Sequence, residues 1–265
     1  MYSRWQLTTR YLKYYFTAAN GKGHGTHSPF VYSFITRVLN DKTKYEEYEQ
    51  AEQLRQRLLK DQRIIMVEDF GAGSAMSKSN RRSIASIAAN AAKPKKFGQL
   101  LFRSVRHYRP SVILELGTSL GITTSYLSMA NPGARLLTLE GASSIASVAR
   151  NNFEQLQLSN AELLEGNFDQ ALPDALQKLG KIDFAFIDGN HRQEPTERYF
   201  SQLLPCAHND TILVFDDIHW SREMEAAWKS VCGHPAVRCS IDLFFIGLVF
   251  FRQEFAEKQH FTIRY

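Results

Sequence analysis

The 265-residue chain contains only three cysteines, Cys206, Cys232 and Cys239. Their number is odd and no CxxC spacing occurs, so the sequence offers neither a disulfide framework nor a zinc site. Long apolar runs are also missing. The longest, "LFFIGLVFF" from Leu243 to Phe251, is far shorter than the roughly 20 residues needed to cross a bilayer. The stretch "MYSRWQLTTRYLKYYF" mixes charged and polar residues among its apolar ones and does not read as a secretory signal. Internal repeats and low-complexity tracts are absent. These absences fit a protein of a reducing cytoplasm. Hydrophobic residues at 44% and charged ones at 22% suit a folded α/β domain rather than a disordered chain.

Charge is unevenly spread. Residues 1–110 hold 20 Lys+Arg against 8 Asp+Glu, and the remainder holds 12 against 19. A basic front on an acidic body suggests two functional parts, and the basic part could meet nucleic acid, anionic lipid or an acidic substrate. The charges are dispersed, however, which favours a solvated surface packed on the acidic body. Trp5, Thr9, Leu12 and Phe16 recur at helical spacing. Such a stripe could lie on a membrane surface, but it more often packs on its own domain, and that is the expectation here. Ser28 and Pro29 read as the N-cap and first residue of a second helix, with Val31, Phe34, Ile35, Val38 and Leu39 on one face. A charged helix is expected from Lys44 to Lys60, a strand at "RIIMVEDF", and a small-residue helix from Arg82 to Ala92.

After Pro110 strands and helices alternate. "SVILEL", "RLLTLE", "AELLEG", "KIDFAFID" and "TILVFDD" are five strands, each followed by a helical segment, and "VRCSIDLFF" and "IGLVFFR" are two more. This rhythm predicts a doubly wound, mostly parallel, seven-stranded sheet covered by helices. "HFTIRY" is a candidate extra strand. The expected organisation is an N-terminal, mainly helical extension over 1–92 and an α/β domain over 93–265. Ligands of such sheets sit at the carboxyl ends of the strands.

"ELGTSLG", Glu115 to Gly121, closes the first strand of this run. Its glycines permit a tight turn, and the free amides of the next helix can meet a carboxylate. The pattern is not GxGxxG, which argues against a dinucleotide pyrophosphate. Glu140 ends the second strand, where an acid can accept hydrogen bonds from both hydroxyls of a ribose. A nucleoside-bearing cofactor without a pyrophosphate satisfies both features, and S-adenosylmethionine is such a molecule. A second glycine loop, "EDFGAG" from Glu68 to Gly73, lacks a following acid-tipped strand and reads as a turn or a wall near the substrate.

"FIDGNH" and "VFDDIHW" end the fourth and fifth strands, which brings Asp188, Asp216 and Asp217 to one rim. Clustered carboxylates resist full ionisation unless a cation joins them, and oxygen ligands suit Mg²⁺ or another hard divalent metal. Otherwise one of these acids caps the next helix or pairs with an arginine such as Arg222. His191, three residues past Asp188, is the candidate general base, ahead of His219.

From Phe97 to about Arg252 the chain resembles class I S-adenosylmethionine-dependent methyltransferases, which have a Rossmann-like fold. Within them it is most similar to the O-methyltransferases of the catechol and caffeoyl-CoA type. "KKFGQLLFRSV", "ILELGTSLGITTSYLS", "LLTLEG", "LLEGNFDQALP", "FAFIDGNH" and "VFDDIHW" carry the resemblance. It implies Gly117, Ser119 and Thr123 around the methionine portion, with Glu115, Thr118 and Gly121 in the same loop. It further implies Glu140 and Gly141 at the ribose, Asn167, Phe168 and Asp169 near the adenine, and Asp188 between cofactor and metal. Asp217 stands where these enzymes usually have Asn, and His191 where a catalytic Lys would fall.

The expected activity is O-methylation of a small hydroxylated acceptor, assisted by a divalent metal at Asp188, Asp216 and Asp217, with Asp188 and His191 as catalytic groups. Rival readings are methylation of RNA or a lipid-like acceptor, and a cofactor-binding module without catalysis. No Asn-Pro-Pro-Tyr motif for exocyclic base nitrogens is present, and with the dispersed charge this weighs against nucleic acid. Membrane-surface contact through the N-terminus and a homodimer both stay open.

Overall fold

The computed structural model describes residues 1–25, 27–67, 80–91 and 93–265. The loop Glu68 to Gly73 lies outside them. In chain order the elements are α1 (Arg4–Thr17), α2 (Pro29–Phe34, continued by a π turn Ile35–Leu39), α3 (Glu46–Lys60), β1 (Ile64–Met66), β2 (Arg81–Ser83), α4 (Ile84–Ala91), α5 (Lys95–Tyr108), β3 (Val112–Leu116), α6 (Ile122–Ala130) and β4 (Arg135–Glu140). They continue with α7 (Ser143–Gln155), β5 (Ala161–Glu165), α8 (Phe168–Leu179), β6 (Phe184–Ile187), α9 (Gln193–Leu203), β7 (Ile212–Asp216), α10 (Arg222–Gly233), β8 (Cys239–Asp242), β9 (Ile246–Phe250) and β10 (Gln259–Thr262). Strands β3 to β10 make an eight-stranded, mostly parallel sheet. The expectation was seven; the eighth is β10, from "HFTIRY", which pairs in parallel with β8. Among the described residues no helix is long and apolar enough to cross a membrane.

By compactness the chain divides into residues 42–179 and a second unit made of 1–41 with 180–265. In the first, β3, β4 and β5 run parallel in that order, and α7 and α8 pack against β4 and β5. Burial runs continuously along the interior of β3 and β4, as expected for strands covered on both faces. α3 starts with Glu46, Glu47 and Glu49 and ends with Arg57 and Lys60, charges that complement the helix dipole. Its Glu52 accepts a 2.7 Å hydrogen bond from the Tyr126 hydroxyl of α6. Burial and that bond both push the Tyr126 hydroxyl above the usual phenol range. β1 pairs antiparallel with β2, so the expected helix at Arg82 begins instead at Ile84. Strand pairing there overrides the helix propensity of the arginines.

In the second unit the order is β10, β8, β9, β7, β6. β9 runs antiparallel to both β7 and β8. Ser28 caps α2 and Pro29 is its first residue. Val31, Phe34, Ile35, Val38 and Leu39 are all buried, as their spacing predicts. α1 carries an N-terminal capping box of Ser3 and Gln6. Its Tyr14 packs on Phe244, and the Tyr14 hydroxyl donates to the Ile263 carbonyl at 2.5 Å. A bridge between Ala19 and Ile263 continues this attachment.

One expectation is overturned here. The stripe Trp5, Thr9, Leu12 and Phe16 does not pack on the domain: all four are exposed, and the buried face of α1 is Leu7, Tyr11 and Tyr14, followed by Ala18. The helix has two apolar stripes, and the flat Tyr rings fit against Phe244 and Phe245.

Candidate active site

In residues 42–179 the loop between β3 and α6 is built around one carboxylate. Glu140, the last residue of β4, accepts the Ser119 amide at Oε2 (2.8 Å) and the Ala142 amide at Oε1 (2.9 Å). The amides of Gly117 and Thr118 donate to the Leu139 carbonyl, both at 3.0 Å. The loop therefore wraps the end of β4. Ser119 has a left-handed backbone, φ 48°. So does Gly121, φ 82°, where a Cβ would come within 2.5 Å of the Phe153 ring. A tight turn and a close ring contact both require glycine at 121.

Glu115 lies beneath this loop and is fully buried. Its Oε2 accepts hydrogen bonds from Thr124 (2.5 Å) and Thr138 (2.7 Å). Thr118 and Thr138 share a further 2.6 Å bond. Buried acceptors need donors, and the threonine hydroxyls supply them. Thr138, Thr124 and Asn152, whose side-chain amide donates to the Leu120 carbonyl, were not anticipated as parts of the site. Their signal is weak in sequence because lone threonines and asparagines are common in strands and helices. Thr123 is half-buried. Past β5 the Gly166 amide donates to the Glu140 carbonyl at 2.9 Å. Asn167 caps α8 by accepting the Asp169 amide at 2.9 Å. Phe168 is half-buried and Asp169 exposed, while Gly141 is half-buried.

In the other unit, Asp188 follows β6 and Asp216 ends β7. One ligand atom each from Asp188, His191 and Asp216 lies within 4.8 Å of the others. His191 Nε2 stands 3.5 Å from Asp188 Oδ1. Asp216 is 1% exposed, and Asp188 and His191 are half-buried. Asp217, expected as the third acid, is not part of this group. It follows the strand with a left-handed backbone, φ 52°. Its amide donates to the Phe245 carbonyl, and its carbonyl accepts from Trp220. Successive residues at a strand end diverge to opposite sides, so only one of the two aspartates joins Asp188. The helix after them is capped by Ser221, which accepts the Met224 amide, rather than by an aspartate. Asn190 is a further residue of interest: its Oδ1 is shielded from solvent and has no hydrogen-bond partner among the described residues.

His219 serves elsewhere. Its Nε2 lies 2.8 Å from Asp242 Oδ2 and its Nδ1 3.3 Å from Glu225 Oε1, while its ring stacks on Phe244. Burial lowers its basicity, but Asp242 and Glu225 outweigh that and hold its pKa above the ordinary histidine value. Glu225 also accepts the Tyr2 hydroxyl at 2.6 Å and lies 3.4 Å from Arg10 Nε. This histidine joins α10, β8 and the start of the chain. His24 and His27 are exposed.

Residues 114–218 match a protein family described as a methyltransferase domain. Among curated proteins the chain is similar to the rat (Rattus norvegicus) transmembrane O-methyltransferase homolog, 34% identical over 98 residues. It is also similar to the mouse (Mus musculus) catechol O-methyltransferase, 32% identical over 96 residues. These alignments cover 34% of this chain and 37% and 36% of those proteins, so the chain spans only about a third of the length of the curated relatives it matches. The fold resembles that of the S-adenosylhomocysteine-bound Podospora anserina methyltransferase PaMTH1. The TM-score is 0.60 at 15% identity, over 86% of this chain and 99% of that one. It also resembles the Bacillus cereus O-methyltransferase in complex with S-adenosylhomocysteine. There the TM-score is 0.55 at 20% identity, over 83% and 97%. The architecture is thus the Rossmann-like one that the strand–helix rhythm predicts. The Glu140 loop lies inside the matched segment, as do Asp188, His191 and Asp216.

Proposed function

We propose that the protein is an S-adenosylmethionine-dependent methyltransferase acting on the oxygen of a small hydroxylated acceptor. The observation that carries this reading is the Ser119–Glu140–Ala142 arrangement. It holds a carboxylate at a strand end beside a glycine turn, the place where such sheets bind a ribose diol. The similarity to O-methyltransferases supports oxygen as the nucleophile. In the reaction the sulfonium–methyl bond breaks and an oxygen–methyl bond forms. The acceptor hydroxyl loses a proton, and S-adenosylhomocysteine leaves. The methyl group is already electrophilic, so the protein's main task is alignment and proton removal.

Asp188, His191 and Asp216 are a fitting donor set for a divalent cation: two carboxylates and an imidazole, close together and partly shielded. A bound cation would supply Lewis acidity that lowers the pKa of an acceptor hydroxyl. Here the reading departs from the expected trio of aspartates by replacing Asp217 with His191. Where activity is independent of metal, His191 takes the acceptor's proton and the Asp188 carboxylate, 3.5 Å from its Nε2, stabilises the imidazolium.

The test is calorimetric titration of the full chain with S-adenosylhomocysteine, in EDTA and then in Mg²⁺, followed by a screen of hydroxylated acceptors. Binding on the order of micromolar with turnover of a hydroxylated acceptor is expected. No binding in either condition would remove the cofactor assignment. Binding with turnover only of RNA or of a lipid-like acceptor would replace the acceptor class.

A further inference from the structure

We propose that the outer face of α1 is a docking surface for an anionic membrane. The helix has two apolar stripes. The inner one, Leu7, Tyr11 and Tyr14, is committed to Phe244 and Phe245. On the outer one, Trp5 is 74% exposed, Leu12 48% and Phe16 76%. Residues 5, 12 and 16 share one side of a helix, so this is a continuous ridge rather than scattered contacts. Large aromatics displayed this way are costly in water and are favoured at the headgroup level of a bilayer.

Charge selects the occupant. Arg4 and Lys13 lie about 100° to one side of Trp5 and about 80° to the other, so basic groups border the ridge on both flanks. Both are exposed. Arg10, by contrast, is engaged with Tyr2 and Glu225. Residues 1–40 contain no Asp or Glu at all. An apolar ridge bordered by cations complements acyl chains beneath phosphate headgroups. A second copy of the same face would bring like charges together, which disfavours self-association. The helix is already formed and pinned along its inner side by the Tyr14–Ile263 bond. Docking therefore does not have to order it, unlike the binding of an isolated peptide. Tyr15, 41% exposed beneath the Arg264 guanidinium and edge-on to Phe16, extends the aromatic surface.

The proposal is independent of the acceptor and of metal. Its test is co-sedimentation of the full chain with vesicles of phosphatidylcholine alone and of phosphatidylcholine containing phosphatidylserine. Sedimentation velocity without lipid runs in parallel. The chain is expected to pellet with the anionic vesicles, weakly with the neutral ones, and less at high salt. Trp5→Ser with Phe16→Ser should lower partitioning tenfold or more while leaving the circular dichroism and thermal transition unchanged, since both side chains are exposed. Arg4→Glu with Lys13→Glu should lower it by more than about fivefold per residue. Three results would overturn the proposal. The wild-type chain could stay in the supernatant with anionic vesicles. The Trp5/Phe16 variant could bind as well as wild type. Finally, wild type could sediment as a dimer that the same variant dissociates, which would make the ridge a contact between copies.

Discussion

The Ser119 amide and the Glu140 carboxylate are joined by a 2.8 Å hydrogen bond across the ends of two neighbouring parallel strands, β3 and β4. That bond ties the glycine-containing turn to the acid proposed to hold the ribose. The turn and the acid are one unit, and a change at either should be felt at both.

Replacing Glu140 removes both the ribose acceptor and the partner of two backbone amides. Glu140→Ala is expected to weaken S-adenosylhomocysteine binding at least tenfold, while Glu140→Asp should fall between it and wild type. Calorimetry on the three proteins decides the matter. Unchanged affinity in the alanine variant would show that the ribose is held elsewhere.

Gly121→Ala places a methyl 2.5 Å from the Phe153 ring on a backbone with φ 82°. The left-handed conformation alone costs about 1–2 kcal/mol for an L-residue, and the contact adds to it. A fall in stability of about 2 kcal/mol or more is expected by urea denaturation. Phe153→Leu in the same chain should recover the part owed to the ring contact, and no recovery would locate the whole cost in the backbone.

Thr138→Val tests the buried acid. It removes one of two threonine hydroxyls on Glu115 Oε2 and the partner of the Thr118 hydroxyl. Leaving a buried acceptor without its donor costs about 1–3 kcal/mol. Thr138→Ser, which keeps the hydroxyl, should retain most of the stability. If serine and valine behave alike, packing rather than the hydrogen bond explains the residue.

The Asp188, His191 and Asp216 group predicts metal-linked stability. A cation at 100 times its dissociation constant raises folding stability by about 2.7 kcal/mol. Mn²⁺ or Mg²⁺ is therefore expected to raise the melting temperature of wild type. Asp216→Asn and His191→Ala should each abolish that rise, and Asp217→Asn should leave it. A rise lost in Asp217→Asn and kept in His191→Ala would restore the trio of aspartates expected from sequence.

His219 sets a pH dependence. Its folded pKa is raised above the ordinary value of about 6.5. The proton is thus bound more tightly in the folded state. The stability this contributes is fully present below about pH 6.5 and is lost as pH rises through the folded pKa. The advantage of wild type over His219→Gln in thermal melts should shrink as pH rises from about 6.5 through the folded pKa. A constant gap would mean that the ring acts through its stacking on Phe244 alone.

Much of the site was legible because its signals are local. Glu140, Asp188 and Asp216 end strands or follow them directly, and strand ends can be read from an apolar run meeting a polar residue. Gly121 was legible because a turn before a helix favours glycine. The support beneath was not: the resemblance places Glu115 in the cofactor loop, yet it is buried on Thr124 and Thr138, residues 9 and 23 positions away. Their meeting depends on which strand lies beside which.

Hydrophobic period and turn chemistry act over a few residues, so the strand–helix alternation, the acids at the strand ends and the presence of an apolar stripe on α1 can be read along the chain. Which of Asp216 and Asp217 joins Asp188 follows instead from the pleat and the left-handed turn at 217, and so from the folded chain. The fold also chose which face of α1 is buried. Both stripes have helical period, and the choice belongs to Phe244 and the Ile263 carbonyl, more than 200 residues along the chain, which only the folded chain brings to Tyr14.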